Sequence, residues 1–311
     1  MEPTKHVPVM MQEAISGLEL RTGMVVIDAT LGGGGYTRAI ADCVGVSGRV
    51  IACDADQEAI DRFQYSYGEA YPHVELVHTN YAHIKKVMQL RGIDHVDAIV
   101  ADLGLSSDQI ANDDAGFSFT SSGSLDMRLN RVGEGETAAT YLDSRTHGEL
   151  ARDIALYGDE KYAGKAAAAI IDHRSFTSTQ ELSQCLEDAL SGVYRNEKIH
   201  PATRTVQAIR IAVNREYENL EIFLVDGISM LNPGCFMSVV TFHSGEDRIV
   251  KHIFREHARD CVCDERAPIC VCSGISDVDL HSKKPLLPDA AEVAVNPRSR
   301  SAKLRIVQKN S

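Results

Sequence analysis

The residues with the clearest chemical meaning are four consecutive glycines, Gly32 to Gly35, which follow an apolar segment of residues 25–29. Glycine has no Cβ, so such a loop can turn tightly and bring its backbone close to a ligand. Residues 37–43 are suited to a helix, and the N–H groups at its start would face the same place. The segment therefore predicts a cradle for a nucleotide-type cofactor.

A carboxylate follows at the distance that such a cofactor requires. A second strand is predicted over residues 49–53, and Asp54 comes directly after it, twenty positions beyond Gly34. A carboxylate there binds ribose hydroxyls in the first βαβ unit of a Rossmann-like fold. The glycines do not follow the G-x-G-x-x-G pattern and no G-K-[S/T] is present. This favours an adenosyl ligand over a dinucleotide or a nucleoside triphosphate.

Asp102 lies at the end of a further strand, predicted over residues 97–103. In an open α/β sheet the ligand crevice lies beyond the carboxyl ends of the strands, so Asp102 should share a crevice with the glycine loop and Asp54. There its oxygens could hold the hydrogens of an exocyclic amine in line with a methyl donor. In the alternative interpretation Asp102 caps the turn, and Ser106 and Ser107 start the next helix.

Two other polar features have both a functional and a structural interpretation. His243 follows a strand predicted over residues 236–242 and could act as a base or contact a substrate, or it could be a structural hydrogen-bonding residue. Gln207, Arg210 and Asn214 share one face of a predicted helix, which could face substrate or solvent.

Four of the eight cysteines form two C-x-C pairs, Cys261 with Cys263 and Cys270 with Cys272. Four thiolates could hold a tetrahedral zinc ion, although C-x-C is less usual than C-x₂-C in structural zinc sites. We assign no metal from this pattern. We expect reduced thiols in a cytosolic α/β chain of this kind, so the fold must rest on its apolar core.

The elements that position these residues alternate between strand and helix. Strands are predicted over residues 25–29, 49–53, 74–78 and 97–103, which indicates a parallel, doubly wound half-sheet. The alternation then stops, and residues 106–199 have the pattern of a loop followed by helices. One long helix over residues 202–230 leads to the strand 236–242 and a helix over 246–257. Two final strands, 278–281 and 302–308, would complete the sheet.

The net charge of −12 at first argues against a nucleic-acid partner. Residues 281–311, however, contain seven basic and two acidic residues, and residues 195–215 contain five basic residues and one acidic residue. These two segments could flank a polyanion site or be solvated surface. No apolar run approaches the roughly 20 residues of a membrane span and the first residues do not resemble a signal peptide, so we expect a cytoplasmic protein.

Several motifs in order resemble the bacterial 16S ribosomal RNA (cytosine-N4)-methyltransferase family, RsmH, formerly MraW. The resemblance covers nearly the whole chain. Its motifs are HVPVM from His6, the glycine loop, DLGLSSDQ from Asp102, GFSF from Gly116, LDMR from Leu125, HPATR from His200, FHS and EDR from Phe242, and NPRSRSAKLR from Asn296.

This resemblance implies an α/β fold, a Rossmann-like class I methyltransferase sheet with an inserted helical subdomain. Residues 1–105 and 200–311 would form the two parts of the methyltransferase domain, the second with a basic C-terminal strand, and residues 106–199 would be the insertion that helps to recognise RNA. The methyl donor would be S-adenosyl-L-methionine and the acceptor N4 of a cytidine in the decoding region of 16S rRNA. Some members of this kind form homodimers.

By motif position, the resemblance also assigns the site residues. The cofactor would contact Gly34, Gly35, Tyr36, Asp54, Tyr81, Asp102 and Gln109. Asp54 would bind the ribose, and Asp102 and Gln109 would lie near the transferred methyl group, with His243 as a second catalytic candidate. A methyltransferase acting on DNA or another RNA, a dehydrogenase, and an assembly factor that binds the cofactor without turnover remain alternatives.

Three positions depart from the family pattern. The chain has Tyr36 where the family usually has His, Cys235 where it has Gly, and Gly245 where it has Leu. Tyr36 could still contact the cofactor through its backbone or its ring. Gly245 loosens the start of the helix after the fifth strand, between His243 and Glu246.

Overall fold

The structure is a computed structural model that describes residues 7–195, 197, 199–261, 263, 274 and 276–311. The described residues divide into two compact units. The sheet unit comprises those up to Gly104 and from Glu218 onward, and the helical unit is Leu105–Tyr217.

The sheet unit is built on a mixed sheet. Its strands are β1 (Val25–Asp28), β2 (Arg49–Asp54), β3 (Val74–His78), β4 (Val96–Asp102), β5 (Leu231–Thr241), β6 (Val278–Leu280) and β7 (Lys303–Lys309). Their order across the sheet is β3-β2-β1-β4-β5-β7-β6. The pairs from β3 to β5 are parallel, and β7 is antiparallel to both β5 and β6. The predicted α/β class and the predicted strands are thereby confirmed.

The described residues form helices in both units, numbered here in chain order. They are α1 (Met11–Ser16), α2 (Gly35–Val44), α3 (Gln57–Tyr67), α4 (Ile84–Gln89), α5 (Ser107–Ala111), α6 (Ala138–Ser144), α7 (His147–Gly158), α8 (Ala163–His173), α9 (Thr179–Tyr194), α10 (Thr203–Asn214), α11 (Glu216–Met230), α12 (Ser244–His257) and α13 (Ala290–Val295). Among these described helices, none combines the length and apolarity that a membrane crossing needs.

Alternate residues of the central strands enter two apolar clusters, one on each face of the sheet. Ile27 and Ile99 belong to a cluster that includes buried residues of α4, α11 and α12. Val26 and Ala98 point the other way and pack with residues of α1 and α2. Helices thus cover both faces, as a parallel sheet requires. The strand ends meet at the carboxyl edge, where ligands bind in such sheets.

The single long helix predicted over residues 202–230 is wrong, because the chain turns at Arg215. This residue has φ 50°, in the left-handed region, and ends α10 before α11 begins at Glu216. Neither Gly nor Pro marks the break. On α10, Val206 and Ile209 are buried in the core of the helical unit.

The helical unit accordingly extends further than the predicted insertion. The insertion was predicted over residues 106–199, whereas the compact unit includes α10 and ends at Tyr217. Strand β5 also differs from the predicted strand over residues 236–242, since it begins at Leu231 and includes Asn232-Pro233-Gly234. Val96 of β4 pairs with Leu231 of β5, whereas Ala98 pairs with Phe236. The register therefore shifts between these two pairs, and residues 232–235 form an irregularity within β5.

Candidate active site

The glycine loop is attached to the sheet through Asp28, the last residue of β1. Its side chain is fully buried. Oδ1 accepts a hydrogen bond from the Thr30 N–H at 3.1 Å, and Oδ2 accepts one from the Thr37 hydroxyl at 2.5 Å. Burial raises the pKa of Asp28 to about 7, although the bonds from Thr37 and Thr30 oppose the rise. Asp28 therefore joins β1, the loop and α2, and sequence reasoning did not select it.

Two of the loop glycines are required by close packing. Gly34 has φ 76°, and a Cβ there would lie 2.3 Å from Cδ2 of Phe63. A Cβ on Gly35 would lie 2.1 Å from Cγ of Pro8. Gly32 also has positive φ, 50°, but a Cβ there would meet nothing closer than the Thr30 carbonyl oxygen at 3.9 Å. The loop therefore packs closely against Phe63 and Pro8 at Gly34 and Gly35, whereas there is space for a side chain at Gly32.

Asp54 closes the loop from the neighbouring strand. Its Oδ2 accepts a hydrogen bond from the Gly32 N–H at 2.8 Å, and its Oδ1 accepts one from the Asp56 N–H at 2.8 Å. Burial raises the pKa of Asp54 to about 6, against the effect of these two backbone bonds. A carboxylate offers about four lone-pair positions, so the two bonds leave capacity for ribose hydroxyls.

Asp102 occupies the matching position on the other side of β1. Asp28 pairs with Ala52 of β2 and with Val100 of β4, so Asp54 and Asp102 each lie two residues beyond that pairing. The Asp102 N–H donates to the Thr30 hydroxyl at 2.7 Å, which joins β4 to the start of the loop. The negative charges of Asp102 and Asp54 both contribute to the raised pKa of Asp28. Three carboxylates therefore end three adjacent strands.

The two tyrosines among the predicted contacts have different surroundings. Tyr36 is 3 % exposed, and its hydroxyl donates to the Val9 carbonyl at 2.5 Å. This side chain belongs to the core beneath the loop, which favours a cofactor contact through the Tyr36 backbone over one through the ring. Tyr81 opens a 3₁₀ turn after β3, and its half-buried ring packs edge-on against Phe223 at a centroid distance of 5.3 Å.

His243 caps α12. Its Nδ1 accepts a hydrogen bond from the Glu246 N–H at 3.4 Å, and its Nε2 lies 3.2 Å from Oε1 of Glu246. Glu246 Oε2 in return accepts the His243 N–H at 3.4 Å, and it also accepts the Phe242 N–H at 2.8 Å. This reciprocal capping box satisfies donors at the start of the helix. It also explains how a helix can begin beside Gly245, and it supports the structural interpretation of His243.

Gln109 belongs to the helical unit and has a similar local role there. Its Oε1 accepts the Ser106 N–H at 2.9 Å, and its own N–H donates to the Ser106 hydroxyl at 3.1 Å, which caps α5. In the same unit Phe119 stacks on His200 at a centroid distance of 5.7 Å, and Phe117 is partly buried against the core. These contacts favour a packing role for the two phenylalanines over base stacking.

The polar face of α10 forms intramolecular contacts. Arg210 makes two hydrogen bonds of 2.8 Å with the Glu216 carboxylate. Asn214 donates to the Met127 carbonyl at 2.7 Å and accepts the Leu129 N–H at 2.8 Å. These contacts favour a structural role for both residues: Arg210 pairs with Glu216 at the start of α11, and Asn214 fixes the loop after Leu125.

Two residues of the basic C-terminal segment bind α12. Lys303 Nζ and Arg305 Nε lie 2.9 Å and 2.7 Å from the two Asp247 carboxylate oxygens. Burial would raise the pKa of Asp247, but the bonds from Arg305 and Lys303 lower it overall. These cations therefore hold β7 against α12. Of the two cysteine pairs, Cys270 and Cys272 lie outside the described residues. Among the residues that the structure describes, no three or more His, Cys, Asp or Glu side chains form a group that could hold a metal ion.

The fold and the site define a Rossmann-like class I methyltransferase. The defining features are the sheet order, the antiparallel β7, the glycine loop after β1, and the carboxylates that end β1, β2 and β4. The model of the MraW methylase family matches residues 3–310, and the chain belongs to this family.

Known proteins with similar sequences carry a common name, "Ribosomal RNA small subunit methyltransferase H". The protein of that name from Citrifermentans bemidjiense is 40 % identical over an alignment of 316 positions, which covers 99 % of this chain and 100 % of the relative. The one from Carboxydothermus hydrogenoformans is 41 % identical, with 98 % of each chain covered. The one from Clostridioides difficile is 38 % identical, again with 98 % of each covered.

Proposed function

We propose that this protein transfers a methyl group from S-adenosyl-L-methionine to N4 of a cytidine in the 16S rRNA of the small ribosomal subunit. Membership of the MraW methylase family supports methyl transfer, and the relatives' common name supports small-subunit rRNA as the acceptor. The choice of N4 follows from the motif resemblance. The observation that carries the proposal is the hydrogen bond between Gly32 and Asp54, which joins the glycine loop to the carboxylate expected on the ribose.

The residues at the carboxyl edge fit the adenosyl cofactor. Asp54 has acceptor capacity for ribose hydroxyls, and Gly32 leaves open space above the loop. The backbone of Gly34, Gly35 and Tyr36 would approach the cofactor from the start of α2. Tyr81 would contact it from the end of β3. When bound, the cofactor supplies an electrophilic methyl group on a sulfonium.

Asp102 is the proposed catalytic residue. Its carboxylate would accept an N–H of the cytidine amine and turn the nitrogen lone pair toward the methyl group. As the new N–C bond forms, the S–CH3 bond of the sulfonium would break, with its electron pair going to sulfur to leave a neutral thioether. A strong base is unnecessary, because the amine proton becomes acidic in this step. The proton then leaves to Asp102 or to solvent. His243 has a positioning role in this mechanism, since its Nδ1 is used to cap α12. Gln109 remains a proposed contact near the methyl group.

The remaining partners follow from the same substrate. We assign RNA recognition to the helical unit, on the basis of the resemblance, and a cytoplasmic location follows from the ribosome as substrate. A homodimer is proposed on the resemblance as well, and sedimentation of the purified protein tests it.

The deciding experiment is tritium transfer from labelled S-adenosylmethionine to small ribosomal subunits that lack the modification, followed by mass spectrometry of the rRNA. We expect one methyl group on one cytidine, and no transfer to DNA or large-subunit rRNA. Asp102→Ala should lose transfer even at cofactor concentrations that saturate the variant in calorimetry, because the loss of one cofactor contact weakens binding without abolishing it. A protein that binds the cofactor but never transfers would be an assembly factor, and methylation of another nucleic acid would identify a different methyltransferase.

A further inference from the structure

A cleft between α12 and the edge strands β6 and β7 contains a concentration of positive charge. Four cationic side chains line it: Lys251, Arg255, Lys283 and Arg305. Lys251 and Arg255 are four residues apart on α12 and therefore share one helix face. Lys283 follows β6, and Arg305 lies on β7. We call these four residues the cationic cleft, and all of them belong to the sheet unit.

Most of this charge is not neutralised by the protein. Within the described part of the chain, Lys251, Arg255 and Lys283 form no ion pair. Arg305 binds Asp247 through Nε, which uses one of the five N–H donors of its guanidinium. That bond fixes the direction of the Arg305 side chain at the cleft and leaves four donors.

Asp247 is shared between Arg305 and Lys303, and two other nearby carboxylates are directed elsewhere. Asp279 precedes Leu280 on β6, and because Leu280 lines the cleft, Asp279 points to the opposite face of the strand. Glu256 on α12 lies 3.3 Å from His252. The cleft therefore keeps a net positive charge although the whole chain carries −12.

The base of the cleft is apolar. Phe254, Leu280 and Ile306 contribute to its lining, and Phe254 is 1 % exposed. Apolar surroundings lower the local dielectric constant, so like charges repel more strongly and a bound anion is held more firmly. Arg255 and Lys283 are exposed, Lys251 is half-buried, and all three line this one cleft.

We propose that the cationic cleft binds a phosphodiester group of the RNA that the active site methylates. The inference rests on the proposed function and extends it to a second contact on the same RNA. Lys251 lies seven residues beyond Ser244, the first residue of α12, which follows the carboxyl end of β5. At a rise of 1.5 Å per residue that is about 10 Å along the helix, or about three nucleotides of a stacked strand at 3.4 Å each.

Charge reversal at Lys283 tests the contact. Lys283 is exposed outside the regular elements, so Lys283→Glu should fold normally, which thermal unfolding checks. Lys86→Glu is the matched control, because Lys86 is an exposed lysine of α4 away from the cleft. The probe is the unmodified small ribosomal subunit, and its affinity is measured from about 50 to 300 mM salt. Lys251→Gln provides a second variant within the cleft.

For one lost phosphate contact, the slope of log affinity against log salt falls by about one. Lys283→Glu should therefore lose about fivefold to tenfold in affinity near 0.1 M salt and show a shallower slope, with unchanged affinity for S-adenosylmethionine. Lys251→Gln should show the same change of slope, and Lys86→Glu should keep the wild-type slope.

Wild-type slopes in both cleft variants would overturn this inference while leaving the proposed function intact. Failure of the wild-type protein to bind or methylate the subunit would overturn the proposed function and the inference together. Saturable binding of inorganic phosphate that is lost in Lys283→Glu, with an unchanged slope for the subunit, would indicate a free-anion site and also overturn it.

Discussion

The Gly32 N–H donates a hydrogen bond of 2.8 Å to Oδ2 of Asp54, and this bond joins the glycine loop after β1 to the end of β2. The two residues are 22 positions apart in the sequence. Because the bond sets the distance between the loop backbone and the carboxylate, it determines the width of the cofactor cradle. Asp54 would thus have two roles, to fix the loop backbone and to bind the ribose, and substitution can separate them.

We expect Asp54→Asn to weaken S-adenosylmethionine binding by about 10-fold to 100-fold. The amide oxygen can still accept the Gly32 N–H, although the amide NH2 then faces the Asp56 N–H. The charge-assisted bonds to ribose hydroxyls are lost, at about 1.5 to 3 kcal/mol. Calorimetric titration of the purified variant measures the dissociation constant. Asp94→Asn is the matched control, since Asp94 is exposed, and it should bind as the wild type does. Equal affinities for the two variants would contradict the ribose role.

A second prediction concerns Asp28 and the dependence of stability on pH. Burial raises the pKa of Asp28 to about 7 in the folded protein, compared with the ordinary value of 3.8. Between these two values the folded state binds more protons than the unfolded state, so the free energy of unfolding falls as pH rises from about 4 to about 7. Above pH 7 this contribution stays constant.

Asp28→Asn should remove that dependence. The amide can accept the Thr30 N–H and donate to the Thr37 hydroxyl, which can act as donor or acceptor. Denaturant unfolding at several pH values should show a decline in wild-type stability between pH 4 and 7 that is smaller in the variant, by an amount on the order of a few kcal/mol. An unchanged decline would mean that Asp28 is not the titrating group.

Much of this site can be predicted from the sequence, because its parts are local. A β-branched strand followed by glycines, and a carboxylate after each neighbouring strand, define the carboxyl edge without any tertiary information. The glycine loop, Asp54 and Asp102 are predicted in that way, and the structure places the loop after β1 and the two carboxylates at the ends of the strands on either side of it. Asp28 was missed because its importance comes from its burial, and an aspartate at a strand end gives no sign of that.

The features that were not predicted depend on residues far apart in the chain. Gly34 and Gly35 are required partly by Phe63 and Pro8, and no local pattern connects them. The break at Arg215 likewise has no Gly or Pro to mark it. Cation counts also overstate free charge: the sequence shows a basic C-terminus, but Asp247 binds two of its cations from another element.

Removal of the Tyr36 hydroxyl separates packing from cofactor binding. Tyr36→Phe loses the bond to the Val9 carbonyl and leaves that oxygen unpaired, so we expect a loss of about 1 to 2 kcal/mol in the free energy of unfolding. The dissociation constant of S-adenosylmethionine should not change, because the proposed contact is through the backbone. Denaturant unfolding and calorimetry measure the two quantities. Weaker cofactor binding with normal stability would instead indicate a contact through the hydroxyl.

Substitutions at His243 distinguish a helix cap from a base. Asparagine is among the best N-cap residues, whereas alanine cannot cap, so His243→Ala should lose about 1 kcal/mol of stability and His243→Asn should lose much less. If capping is the role of His243, His243→Asn should also keep a wild-type kcat and the same pH profile in the tritium-transfer assay. A large fall in kcat with a lost acidic limb in the pH profile would show that the imidazole takes part in proton transfer.

Alanine substitution in the glycine loop should give an order of effects that follows the packing. Gly32→Ala places a residue at φ 50° in open space, at a cost of about 1 to 2 kcal/mol. Gly34→Ala adds a clash with the Phe63 ring and should be more destabilising. Phe63→Leu in the Gly34→Ala background should recover part of the loss, because it removes the ring atoms that the new Cβ meets. Denaturant unfolding of the two single variants, the double variant and Phe63→Leu alone measures this coupling. Additive effects would mean that the strain at Gly34 lies in its backbone angle and that the Phe63 contact is unimportant.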